Sequence, residues 1–151
     1  MAHPIRFFAA GVLATAAACS GGHVVVAPAP ASPEATVGQF LAAVNANDHG
    51  RMAALWGDEH GSSSTVMRNA ARRDSLMTIY QHLLATDSVR LVGSEPLPGN
   101  ASRRLLRMEL FHGGKAVTVP FTLAPQRAGG WLVMAFDPEP LMPQVNAPAR
   151  P

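Results

Sequence analysis

The 151-residue chain has one cysteine, and only 15% of its residues are charged. A single cysteine excludes an intramolecular disulfide and any cysteine-rich zinc module. The 12 Lys+Arg and 10 Asp+Glu residues leave a formal net charge of +2, too little for the basic footprint of a nucleic-acid binder. Eleven of the 12 basic residues are Arg, which raises the isoelectric point without making the chain strongly cationic at neutral pH. Also absent are a Gly-x-Ser-x-Gly elbow, a phosphate-cradling Gly-rich loop, a helical His-Glu-x-x-His and any internal repeat. Those absences remove the common signatures of hydrolases, nucleotide binders and zinc proteases. What remains is 48% hydrophobic residues, enough for the core of one domain.

The amino terminus reads as an address. Arg6 and the α-amino group precede a 12-residue apolar stretch from Phe7 to Ala18. That stretch is shorter than the roughly 20 residues a membrane-spanning helix needs. It has the length of a signal h-region, and the small residues Ala16, Ala17 and Ala18 sit where a signal peptidase cuts. The segment Leu13-Ala14-Thr15-Ala16-Ala17-Ala18-Cys19-Ser20-Gly21-Gly22 resembles a bacterial lipoprotein signal with its lipobox, Ala16 standing where a large aliphatic residue is usual. The resemblance implies that the Cys19 thiol carries a diacylglycerol, that cleavage falls just before it, and that acyl chains such as palmitate hold the protein on a membrane. Ser20, rather than Asp, after the cysteine is what that resemblance associates with the outer membrane, here facing the periplasm. The alternative is an ordinary signal peptide cut nearby, leaving a free thiol. Loss of Arg6 with the signal lowers the formal charge from +2 to +1.

Four segments follow from composition. Residues 1–18 are the signal peptide, and residues 19–32 are the lipidated cysteine with a Gly/Pro-rich tether. Residues 33–142 form the domain, and 143–151 a Pro-rich tail. Pro28, Pro30 and Pro33 favour an extended course, so the 14 tether residues reach about 40 Å.

Within the domain, helices come first. Ser32-Pro33-Glu34 combines a capping side chain, a proline suited to the first helical position and an acid at the positive end of the dipole. Val37, Phe40, Leu41 and Val44 then form one apolar stripe, and the helix ends near Asn45–Asn47. Asp48 caps a short second helix carrying Met52, Leu55 and Trp56, stopped at Gly57. Residues 58–65 read as a polar loop. A third helix falls within Val66 to Ala85, with Val66, Ala70, Met77, Tyr80 and Leu84 on one face and a possible restart at Asp74.

The period then changes to two. Strands are expected at Ser88–Ser94, Arg103–His112, Lys115–Leu123 and Trp131–Asp137. Gly113-Gly114 suits a two-residue hairpin with a primed turn. Pro120 places its strand at a sheet edge or at a bulge. The expectation is an α+β domain, with two to three amino-terminal helices packed on a curved antiparallel sheet of about four strands.

The run Val37 to Asp48, ending Leu41-Ala42-Ala43-Val44-Asn45-Ala46-Asn47-Asp48, is followed by Met52-Ala53-Ala54-Leu55-Trp56. Together with the closing Gly130-Trp131-Leu132-Val133, it resembles NTF2-like domains, the fold of nuclear transport factor 2, ketosteroid isomerase and SnoaL-type proteins. The resemblance spans about residues 33–137 and implies a cone-shaped fold with a pocket between helices and sheet, while one such scaffold hosts many functions. It would gather Phe40, Val44, Trp56, Tyr80, Met108 and Phe121 at that pocket, either lining it or filling it as core. The isomerase positions carry the wrong chemistry. Phe40 stands where those enzymes have a tyrosine donor, and Ser64 where they have the aspartate base, which a serine cannot replace. The expectation is therefore a non-catalytic domain that binds a partner protein or a small apolar ligand, with no cofactor. The alternatives are an enzyme using Asp58, Glu59 or Asp137 instead, or a module self-associating through Leu105, Phe111 and Trp131 on the outer sheet face.

His49, His60, His82 and His112 show no helical pair and no cysteine partner, so no metal site is expected. Arg68 and Arg72 sit one helical turn apart, and Arg103 and Arg107 share a strand face. These four either form a solvated, ion-paired surface or contact anionic head groups or an acidic partner.

Overall fold

The computed structural model describes residues 28–142; the expected signal peptide, Cys19 and the Pro-rich tail 143–151 lie outside them. Helix α1 (Pro33–Asn45) begins as its sequence dictates, with the Ser32 hydroxyl accepting from the Ala35 N–H at 3.1 Å. Its stripe of Val37, Phe40, Leu41 and Val44 is buried. Helix α2 (His49–Leu55) is capped by Asp48, whose Oδ1 accepts from the Arg51 N–H at 2.8 Å. The next segment departs from the expected polar loop. It forms a small hairpin, β1 (Gly57–Asp58) and β2 (Gly61–Ser62), and then one turn of helix, α3 (Ser63–Val66).

The long third helix, α4, spans Ala70–Leu84 without a break at Asp74. The interruption falls earlier, because the Asn69 side chain accepts from the Arg72 N–H at 2.9 Å and starts the helix there. Val66 and Ala70 are therefore exposed, while Met77 and Leu84 carry the buried face.

Four antiparallel strands follow in sequence order: β3 (Ser88–Leu97), β4 (Asn100–His112), β5 (Lys115–Pro125) and β6 (Trp131–Phe136). Gly113 and Gly114 have φ of 55° and 77°, and His112 pairs with Lys115, the geometry a primed two-residue turn requires. Pro120 corrects the expectation drawn from it. Its strand is interior to the sheet, and Pro120 pairs with Arg107 without a register shift. The proline is tolerated because β6 has ended at Phe136. Its missing N–H, on the side where its carbonyl accepts from Asp137 at 3.0 Å, deprives no bond within β6.

Leu106, Met108 and Leu110 of β4 and Val119, Phe121 and Leu123 of β5 share the face that meets the helices, and all are buried. The architecture is thus α+β, helices on one face of an antiparallel sheet. Thr86 ties the layers together. Its buried hydroxyl lies 2.8 and 2.7 Å from the carbonyl oxygens of Ser88 and Phe111, its one proton shared between these two acceptors, and its N–H donates to Asn45 Oδ1.

The end of the expected tether is part of this packing. Pro30 is buried and its carbonyl accepts from the Trp131 N–H at 3.0 Å, with Ala29 against Gly130.

The β1–β2 hairpin joins the rest through a parallel bridge between Trp56 and Val133. Gly57 makes the junction possible: a Cβ there would stand 2.2 Å from the Gly61 oxygen and 2.9 Å from Leu132 Cδ1. Gly57→Ala is accordingly expected to destabilise the chain by about 2–3 kcal/mol in urea unfolding, whereas an unchanged midpoint would mean that the hairpin is not docked as described.

Candidate functional site

The side chains expected at a pocket meet one another in the interior. Phe40, Val44 and Phe121 have no exposure and Met108 is buried, while Trp56 and Tyr80 are half-buried. Trp56 stands at the centre, its ring centroid 5.7 Å from Phe40, 4.4 Å from Tyr80 and 6.0 Å from Phe136. Phe136 also contacts Tyr80 at 5.1 Å and Phe121 at 5.9 Å. These separations are those of packed aromatic pairs. Rings from α1, α4, β5, β6 and the residue after α2 therefore occupy the space between helices and sheet.

Phe136 is the member that alternation along the strand does not indicate. Leu123 pairs with Val133 but Thr122 pairs with Ala135, so Met134 is an extra residue in the ladder. The bulge rotates Phe136 to the helix side, where strict alternation from Val133 would have turned it away.

Neither of two described hollows is lined by the six expected residues. One, of about 240 Å³, lies between the end of α4 (His82, Leu83), the facing ends of β4 and β5 (Leu110, His112, Val117) and Leu141. His82 Nδ1 is 2.8 Å from the Thr78 carbonyl, which can only accept, so Nδ1 carries the proton. The other, of about 180 Å³, lies between the hairpin tip (Glu59, His60) and Gln126–Ala128.

The three candidate acids have structural duties. Asp58 Oδ1 accepts from the His60 N–H at 2.8 Å, and Asp137 Oδ1 from the Glu139 N–H at 2.9 Å. Glu59 takes Arg103 on both carboxylate oxygens, at 3.0 and 3.2 Å. Its own backbone N–H, then Arg103, hold its carboxyl below the usual range, the reverse of what a general acid needs. Glu34 is lowered likewise, first by its backbone N–H and then by the Ser94 hydroxyl, with Arg104 nearby. Ser64 shares a 2.7 Å hydrogen bond with Ser62, and the neighbouring Ser63 hydroxyl donates to the Ala53 carbonyl at 2.9 Å. Among the described residues no three potential metal ligands converge.

The arginines divide into two groups. Arg103 and Arg107 lie on the outer sheet face and are matched by Glu59 and Glu95, the latter pair at 2.7 Å. Arg90 pairs with Glu109 on the same face and lies over the Phe111 ring. Arg68 and Arg72 are not the helical-turn pair expected, because α4 begins after the Asn69 cap and Arg68 precedes it; both are exposed and make no ion pair among the described residues. The expected apolar patch on the outer face does not form. Leu105 and Phe111 are half-buried, the Arg90 guanidinium lying over the Phe111 ring, and Trp131 packs against the core instead. Exposed apolar side chains occur elsewhere, notably Val89, Leu91 and Val92 on β3.

No known family pattern matches the chain, and no curated protein is significantly similar to it. Among solved structures, an NTF2-like protein of unknown function from Cytophaga hutchinsonii ATCC 33406 is similar at 14% identity and a TM-score of 0.38. The match covers 74% of this chain and 95% of that one, and a likeness at this level identifies neither a family nor an activity.

Burial pushes the Tyr80 hydroxyl above its ordinary pKa of 10.0. The unfolded chain then loses this proton first, so stability falls as pH rises past 10. Because Tyr80 is the only tyrosine, phenolate absorbance reads it alone. Its midpoint should lie above 10, and Tyr80→Phe should flatten the alkaline loss of stability; titration at the ordinary value would place the ring in water.

Proposed function

We propose that this chain is a lipid-anchored protein of the bacterial cell envelope whose NTF2-like domain is non-catalytic and acts by contact with a partner protein. The observation that carries the contact reading is the ring cluster of Phe40, Trp56, Tyr80, Phe121 and Phe136 between helices and sheet. Where such a fold holds a ligand, an apolar cavity with a few convergent polar groups is needed there. Here rings take the centre of that space, the hollow at the end of α4 is not lined by them, and Asp58, Glu59 and Asp137 are held by local hydrogen bonds or an ion pair.

The NTF2-like reading is supported by a first helix ending at Asn45, a short second helix capped by Asp48, and a last strand opening at Trp131. The anchor is supported by the position of the single cysteine directly after the apolar stretch and its small residues. Among the described residues no helix is long and apolar enough to cross a membrane. In a bacterium fed radiolabelled palmitate, the chain should take up label and sediment with membranes, and Cys19→Ala should abolish both. Equal labelling of the two chains would overturn the anchor.

A further inference from the structure

Among the described residues, strand β3 is an edge of the four-stranded sheet, ten residues long, with Val89, Leu91 and Val92 exposed at 40%, 43% and 54%. A long apolar edge is a template for another strand, and natural proteins blunt such edges with bulges and charges. This edge carries both devices, but their arrangement is symmetric. The ladder with β4 shifts between Leu91 and Gly93, so Val92 is the extra residue at the middle of the strand. As a consequence, Arg90 and Glu95 both fall on the outer face, each beside its β4 partner, Glu109 or Arg107. Leu91 and Ser94, opposite Met108 and Leu106, both fall on the helix face.

We propose that β3 is a self-recognition edge, pairing antiparallel with β3 of a second copy about a two-fold axis between Val92 and Gly93. That register sets Arg90 opposite Glu95 of the second copy, and Glu95 opposite its Arg90, so two ion pairs form across the axis. Leu91 faces Ser94 and Val89 faces Pro96, every pair matched in face, as an antiparallel ladder demands. Val92 faces Gly93, where a Cβ would meet nothing within 4 Å, and the open space receives the exposed valine. A slip of one residue sets outer-face side chains against helix-face ones. A slip of two loses both Arg90–Glu95 pairings. The bulge and charges that repel a foreign strand thus complement one another when the second strand is the same. This complementarity favours a second copy over an unrelated peptide.

The inference deepens the contact reading by naming the partner, and it can fail while that reading stands: a monomer with a closed interior still acts by contact with another protein. The test uses the full chain produced in a bacterium and purified in mild detergent, with mass read by sedimentation at submillimolar concentration. The chain should be dimeric, and exchange of amides in Ser88–Leu97 should slow as concentration rises. Arg90→Glu or Glu95→Arg alone should each weaken the dimer about tenfold, because like charges then face each other twice. The double variant should restore it. Restoration cannot come from mended contacts within one chain, since the double variant loses both Glu109 and Arg107 as partners. Val92→Lys, at a side chain already in solvent, should abolish the dimer, with melting unchanged from the parent chain at dilutions where both are monomeric. A monomeric parent chain, a dimer indifferent to all these changes, or single variants that the double fails to rescue would overturn the proposal.

Discussion

Trp56 ties the two layers of this domain together. Its indole touches a ring on α1, one on α4 and one on β6, while its backbone bridges Val133 and its carbonyl accepts from the Ser63 N–H at 2.6 Å. One residue therefore sets the height of the helices above the sheet and fixes where the β1–β2 hairpin leaves it. The dependence runs outward. The hairpin needs Gly57 immediately after the tryptophan, and its tip delivers Glu59 to Arg103 on the outer face. Aromatic pairs of this kind add about 0.5–1.5 kcal/mol each beyond their buried area, so the cluster is both a spacer and a source of stability.

That spacer has a functional consequence. A fold of helices over a sheet can keep the space between its layers open for a ligand or close it with side chains. Half-buried Trp56, Tyr80 and Phe136 stand over fully buried Phe40 and Phe121, and their contacts close the centre of the layer. The outer sheet face is laced by Arg–Glu pairs, which in solvent contribute little to stability but cover apolar side chains such as Phe111. Among the described residues, exposed apolar side chains cluster at the β3 edge, with Val66, Ile79 and Met142 exposed elsewhere. Pro30, buried and bonded to Trp131, fixes where the preceding segment joins the domain.

Local signals carried much of this fold. The Ser32 and Asp48 caps, the α1 stripe and the Gly113-Gly114 turn are each decided by a few adjacent residues, and each occurs where the sequence places it. The features that sequence did not reveal depend on residues far apart in the chain. The meaning of Pro120 turns on where β6 ends, and the inward turn of Phe136 turns on one extra residue in a partner ladder. The Glu59–Arg103 pair joins positions 44 apart, so Glu59 reads locally as a solvated loop charge. The gathering of Phe40, Trp56, Tyr80 and Phe121 was legible from the resemblance and the apolar periods. Whether they line a space or fill it was not, because the answer rests on ring-to-ring distances that no spacing encodes.

The filled interior is most directly tested by titrating the folded chain, and its Trp56→Ala variant, with a naphthalene-sized fluorescent probe. With the rings packed as described, removing the central indole opens a space of side-chain size, so Trp56→Ala gains a saturable site for the probe that the parent chain lacks. A Trp56→Ala chain that binds no more probe than the parent chain is incompatible with a domain whose centre is closed by that ring.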